Sequence, residues 1–339
     1  MVRVIDFHIH YTPEALVRPN LGEGGRPKVT WESGVPRYTQ HEGLFRIDRH
    51  LECMDAAGID VAVLSSGAGM GADHDTCAFI NADLAKVAMA NAGRFRPLCH
   101  VDPRDDRWRR EVQRCADEYG FPGLAFPSSF GSLQLDDPLL QPVYEEAARR
   151  GMFVFVHPSL AVPPGLESYW DRYDLYRCVG REHELVVATC RLVAGRVFDQ
   201  VPELQVVMSH LGGGIAAIIE RIRGYQDKGH LGLSPDSPHG QVADNPFDHY
   251  FDHNMYFDTG GVFGSVNAIR AALTEIRPER ILFGTDYPQE IRDARKMAKF
   301  TEDLRAAGLG EGVVDGILGR NGAHLVAADP TARVRSSES

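Results

Sequence analysis

Residues 4–13 read VIDFHIHYTP, an apolar run that ends with His8 and His10 one residue apart. In a strand, side chains alternate between faces, so positions two apart project to one side with their rings close together. That arrangement suits a metal ion, although two histidines can equally cap a strand end with hydrogen bonds. The stretch also decides between two folds. A doubly wound nucleotide-binding sheet carries a GxGxxG turn directly after its first strand, and here the two histidines stand in that place.

Working outward, seven more short β-rich runs follow: VAVLSS (61–66), FRPLCHV (95–101), GLAFPS (123–128), MFVFVH (152–157), LQVVMSH (204–210), NMYFDTG (254–260) and RILFGTD (280–286); the first run centres on 2–6. Amphipathic stretches such as LFRIDRHLECMDAAG and DPLLQPVYEEAARRG lie between them, with glycine where a helix should stop. Near-continuous apolar strands imply burial on both faces, and eight strand-helix units predict a single α/β (β/α)8 TIM barrel. The predicted unit runs over 1–328, with a helical C-terminal extension and a disordered tail at 329–339. Three connections are long, 11–44, 158–185 and 225–253. The first two leave the carboxyl ends of strands, where barrel enzymes build their sites, and are expected to roof a substrate pocket.

Composition sets outer bounds. The 339 residues are 43% hydrophobic and 24% charged, values of an ordinary packed domain. Net charge is −11 with the acidic residues dispersed, which argues against nucleic acid or an anionic membrane as partner. No run of 18 apolar residues and no signal-like start is visible, so a cytoplasmic protein is expected. The six cysteines show no CxxC spacing and are read as core thiols in a reducing compartment.

Strand five ends in His157, strand six in His210 and strand eight in Asp286. Each has an ordinary reading alone: a satisfied core histidine, a helix cap, a turn residue. Together with His8 and His10 they place five metal-compatible residues at one end of four strands. The DxHxH start, the strand-five HP, SHLGGG and FGTDYP resemble the amidohydrolase superfamily. More narrowly, they are similar to its amidohydrolase-2 branch, which includes aminocarboxymuconate-semialdehyde decarboxylase. ILGRNGAHLV (317–326) is similar to that branch's terminal helix. The resemblance implies that His8, His10, His157 and Asp286 bind one divalent metal, Zn²⁺ first and Mn²⁺ second, with His210 and Asp286 catalytic as proton carriers. Binuclear members end strand four with a carboxylated lysine; this chain has GLAFPSS there, which predicts a single ion.

The branch implies non-oxidative decarboxylation of a small unsaturated or aromatic carboxylate. A hydrolase of an amide, lactone or C–C bond stays open, because many aromatic-acid decarboxylases of the branch replace the first histidine by Glu. A non-catalytic metal-binding barrel is a further alternative. A carboxylate substrate needs cationic readers, and Arg46, Arg49 and Arg221 are the candidates. Trp170, Tyr287, Phe7 and Tyr173 are candidate pocket aromatics. In the resembling decarboxylase an arginine at the spacing of Arg221 enters the neighbouring subunit's site, which implies a homodimer.

Overall fold

The structure is a computed structural model that describes residues 2–163 and 165–327. Eight parallel strands stand, among the described residues, where the apolar runs predict them: β1 (Ile5–His10), β2 (Val61–Ser65), β3 (Phe95–Pro97), β4 (Gly123–Pro127), β5 (Phe153–His157), β6 (Val206–Met208), β7 (Met255–Asp258) and β8 (Ile281–Leu282). A helix follows each strand. These helices are α1 (Ile47–Ala57), α2 (His74–Ala90), α3 (Trp108–Asp117), α4 (Gln141–Arg149), α5 (Arg181–Ala194), α6 (Ile219–Gln226), α7 (Val266–Ala272) and α8 (Ala294–Arg305). Local chemistry sets their ends: Asp73 and Asp293 accept the amides of Thr76 and Lys296 as N-caps, and Gly58, at φ +67°, closes α1.

The strands form a three-stranded sheet, β1–β2–β3, and a five-stranded sheet in the order β8–β7–β6–β5–β4. Hydrogen bonds also cross both gaps between the sheets. On one side Cys99 N donates to Gly123 O and Ala125 N to Cys99 O, each at 2.9 Å. On the other, Phe7 N donates to Phe283 O (2.8 Å) and His10 N to Tyr287 O (2.7 Å). Both faces of the strands are covered, as the unbroken apolar runs require. Ile5, Phe7, Val61, Val63, Phe153, Phe155 and Val207 join one buried cluster, while Ile9, Ala62, Leu64, Val154 and Val206 join a larger one with the helices.

The structure departs from the sequence reading in four places. The 11–44 connection is not irregular: it carries a hairpin, Lys28–Glu32 paired with Val35–Gln40. The 158–185 connection ends early, because a π-helical turn at Tyr176–Gly180 runs straight into α5. Strand eight keeps ladder geometry for only two residues. Of the cysteines, Cys53, Cys77, Cys99 and Cys115 are buried as expected, but Cys190 is half-buried and Cys178, on the π-helical turn, is exposed.

The expected C-terminal extension is present as Glu311–Asp315 and Gly316–Arg320. It packs at the amino-terminal side of β1, where a Cβ on Gly319 would stand 1.9 Å from the Arg3 carbonyl and one on Gly322 2.3 Å from the Phe7 ring, and the following Leu325 and Val326 join the buried cluster of Ile5 and Val61. That end of the molecule is thereby filled. The predicted tail at 329–339 lies outside the described residues.

Candidate active site and metal centre

The donors converge at the carboxyl ends of the strands. A register irregularity between Asp6 and Ile9 re-aims the end of β1, and His8 and His10 then face the same point with Nε2 atoms 3.2 Å apart. His157 is the last residue of β5. Asp286 follows β8 in a left-handed conformation, φ +52°. The ligand atoms of His8, His10, His157 and Asp286 all lie within 4.8 Å of one another, and all four residues are buried.

The Nδ1 atoms explain why the Nε2 atoms point inward. His8 Nδ1 lies 3.1 and 3.2 Å from the two Asp258 oxygens, His10 Nδ1 3.0 Å from Ser65 Oγ, and His157 Nδ1 2.9 Å from the Pro158 carbonyl. Carboxylates and carbonyls that hold the outer nitrogen of a ligating histidine fix its tautomer and free the other nitrogen for a metal.

The distances themselves test whether an ion fits. Donors about 2.1 Å from a tetrahedral Zn²⁺ stand about 3.4 Å apart. Here His8 Nε2 is 3.2 Å from His10 Nε2 and 3.5 Å from Asp286 Oδ1, and His10 Nε2 is 3.0 Å from the same oxygen. Two bare nitrogen lone pairs at that separation repel unless a cation or a shared proton lies between them. Asp286 Oδ1 is buried and faces both of these imidazole nitrogens. The donor set fits a divalent ion.

His210 stands beside this group. It begins a left-handed run, with positive φ from His210 to Gly214, which the three glycines take freely and which strains His210 and Leu211. At Gly213 a Cβ would sit 2.0 Å from the Glu182 carbonyl. The run brings His210 Nδ1 to 2.8 Å from Glu182 Oε1 and leaves Nε2 unpartnered, 3.9 Å from Asp286 Oδ2.

Burial alone would lower His210, but Glu182, Asp286 and Glu290 outweigh it and push the imidazole up to about 10. Burial holds His157 well below the ordinary imidazole value, with His10 and His8 adding to the effect. Burial would raise Asp286, but the His10 hydrogen bond and the surrounding imidazoles bring it down to about 2. A buried carboxylate kept ionised beside histidines is a ready cation ligand.

The substrate readers named from the sequence are not brought to this cluster. Arg46 pairs with Asp48 at 2.6 Å on the outside of the fold, Arg49 is exposed on α1, and Arg221 lies exposed over the Tyr225 ring. Tyr287 is buried against His50, with ring centroids 4.8 Å apart, and Phe7 packs on Phe153. Trp170 rests on Tyr176, and Tyr173 is exposed.

Sequence reasoning missed five residues of this site. Asp258 and Ser65 orient the histidines, and both lie within the apolar strand runs. Glu182 holds His210. Arg181 sits beside the site with its Nε shut off from solvent and unpartnered, and Tyr38 with its hydroxyl buried. The strand-end position of Asp258 was a usable signal; Glu182, Arg181 and Tyr38 fall in connections read as roof loops.

The chain is similar over most of its length to known proteins. The chain is 25% identical to 2-amino-3-carboxymuconate-6-semialdehyde decarboxylase of Dictyostelium discoideum, over 96% of this chain and 92% of that one. It is 30% identical to gamma-resorcylate decarboxylase of Rhizobium sp. (strain MTP-10005), over 74% and 79%. A crystal structure of 2,6-dihydroxybenzoate decarboxylase complexed with 2,6-dihydroxybenzoate superposes with a TM-score of 0.78 at 25% identity, covering 96% of this chain and 99% of that one. A dihydroxybenzoic acid decarboxylase from Polaromonas sp. JS666, with bound manganese and 2-nitroresorcinol, superposes at 0.79 and 23% identity, over 96% and 97%. The Amidohydrolase family model, of the amidohydrolase-2 type, matches residues 5–326, and the chain belongs to that family.

Proposed function

We propose that this protein is a metal-dependent decarboxylase of a small aromatic carboxylic acid, built on eight strands that close into a (β/α)8 barrel. The hydrogen bonds across both gaps between the sheets support the closure. The observation that carries the functional reading is the unpartnered His210 Nε2 standing over the four converging donors. The decarboxylase activity of the relatives chooses among the reactions such a site can perform.

His8, His10, His157 and Asp286 would hold one divalent ion. Zinc is the first assignment on donor type, and manganese suits the same nitrogens and carboxylate. When bound, the ion supplies a Lewis acid that polarises the substrate. The protein's own groups do the rest. His210 Nε2–H gives its proton to the ring carbon that bears the carboxylate. The bond from that carbon to the carboxylate then breaks, its electron pair returns to the ring, and CO₂ leaves, so ArCOO⁻ and the imidazolium proton become ArH and CO₂. Glu182 holds the imidazole through Nδ1, and Asp258 and Ser65 hold the ligating rings.

The test is the metal-loaded protein incubated with 2,6-dihydroxybenzoate and related acids in ¹⁸O-labelled water. Release of CO₂ with no label in the organic product is the expected result. Solvent oxygen in a product without CO₂ would replace this reading with the hydrolase.

A further inference from the structure

Arginine is almost never buried without an anion to pair with. Arg177 pairs with Asp174, Arg37 with Glu32 and Arg191 with Asp136. Arg181, half-buried, has no such pair. Among the described residues no carboxylate lies within ion-pair distance of it, and its Nε is shut off from solvent with no acceptor. Its Nη2 donates to the Arg37 carbonyl, and its guanidinium lies 5.9 Å from the centre of the Tyr176 ring. Tyr176 is itself pinned, its hydroxyl donating to the carbonyls of Ser159 (3.1 Å) and Ala161 (2.6 Å). The arginine is therefore held by neutral groups and has hydrogen-bonding capacity left over.

Its location gives that capacity a use. The next residue, Glu182, touches His210 at 2.8 Å. On the other side the bond to Arg37 sets the guanidinium against the hairpin, where the buried Tyr38 hydroxyl lies beside Thr12 and Gln289. Tyr38 and Arg181 are both close enough to Asp286 to feel its charge. A cation with an unused donor and a buried hydroxyl thus lie near Asp286 in a chain of net charge −11. Polar groups left unpaired in a buried site mark the place of a ligand's complementary group.

We infer that Arg181 and the Tyr38 hydroxyl form the subsite that binds the substrate's carboxylate and aligns the acid beneath His210. This rests on the decarboxylase reading for the identity of the acid. Arg181 is a substrate-binding residue that discriminates acids from their neutral analogues, and Tyr38 adds a second donor to the same oxyanion. Charge-assisted hydrogen bonds of this kind carry roughly ten- to a hundredfold in affinity.

The experiment is calorimetric titration of metal-loaded protein with 2,6-dihydroxybenzoate and with its neutral amide, 2,6-dihydroxybenzamide. The wild type is expected to prefer the acid by about tenfold or more. Arg181→Gln should abolish that preference by weakening the acid alone, with metal content unchanged. Arg181→Lys should restore part of it, and Tyr38→Phe should cost the acid a few-fold. An Arg181→Gln protein that keeps the preference, or that loses acid and amide equally, overturns the subsite. If the wild type binds the acid selectively but releases no CO₂, the subsite stands and the reaction assignment fails. If the wild type binds neither compound, both fail.

Discussion

Glu182 and Asp258 each hold an imidazole by its Nδ1, one on the proposed proton carrier and one on a proposed metal ligand, and their substitution should separate the two roles. Glu182→Gln keeps a hydrogen-bonding side chain but removes the charge that favours the protonated ring. Turnover is expected to fall about 10- to 100-fold with metal content unchanged, and His210→Asn should fall further, by about 10²- to 10⁴-fold. Asp258→Asn should instead lower metal affinity by about 10- to 100-fold. Steady-state kinetics beside elemental analysis of the same preparations checks both. Metal loss in Glu182→Gln, or full metal retention in Asp258→Asn, would contradict this division of roles. The four converging donors proposed as ligands were legible because they end apolar strands, where a histidine or aspartate has little structural reason to be. Arg46 misled the reading although its partner, Asp48, is two residues away: a long cation takes the nearest acid, and the motif RID already held that pair.

At the scale of elements, sequence reasoning located all eight strands and misjudged what joins them. Strands announce themselves by continuous apolar runs buried on two faces. The start of α5 carries no such mark: it has no side-chain N-cap and grows out of a π-helical turn, whose spacing departs from the 3.6-residue period that identifies a helix. Arg181 and Glu182 were hidden for that reason. The loop after β7 makes the same point through a glycine. Gly261 has φ +72°, and a Cβ there would meet His210 Cγ at 2.2 Å and Nδ1 at 2.5 Å. Gly261→Ala therefore has to push the imidazole aside as well as bear a left-handed backbone that costs about 1–2 kcal/mol. Loss of most turnover with the ion retained is the expected outcome, read by activity and elemental analysis. An alanine variant with wild-type turnover would mean that His210 has freedom the packing denies it.

At the scale of the whole molecule, the C-terminal extension fills one end of the fold and the donors occupy the other, so ion binding should add stability without remodelling the core. A ligand that binds only the folded state, at a hundred times its Kd, contributes about 2.7 kcal/mol. Chelation should accordingly lower the thermal midpoint, and re-addition of zinc or manganese should restore it.

The pH dependence of stability rests in part on His100, which is not one of the four donors. It is fully buried, accepts the Ser66 amide at Nε2 (3.0 Å), and is pushed by burial down to about 4 from an ordinary 6.5. Between those two pH values the unfolded chain binds a proton there that the folded chain refuses, so stability rises with pH through the window. The contribution is complete above 6.5 and is lost as pH falls to 4, a span of about 3 kcal/mol. Asp6, pushed up to about 7 by burial, binds its proton more readily when folded and works in the opposite sense across much of the same range. The contribution of His100 is therefore read as a difference from His100→Gln, whose amide oxygen can still accept from Ser66. Denaturant unfolding curves of the two proteins should converge as pH falls from 6.5 to 4, with the wild type losing about 3 kcal/mol relative to the variant; parallel curves would mean that the folded protein accommodates the proton.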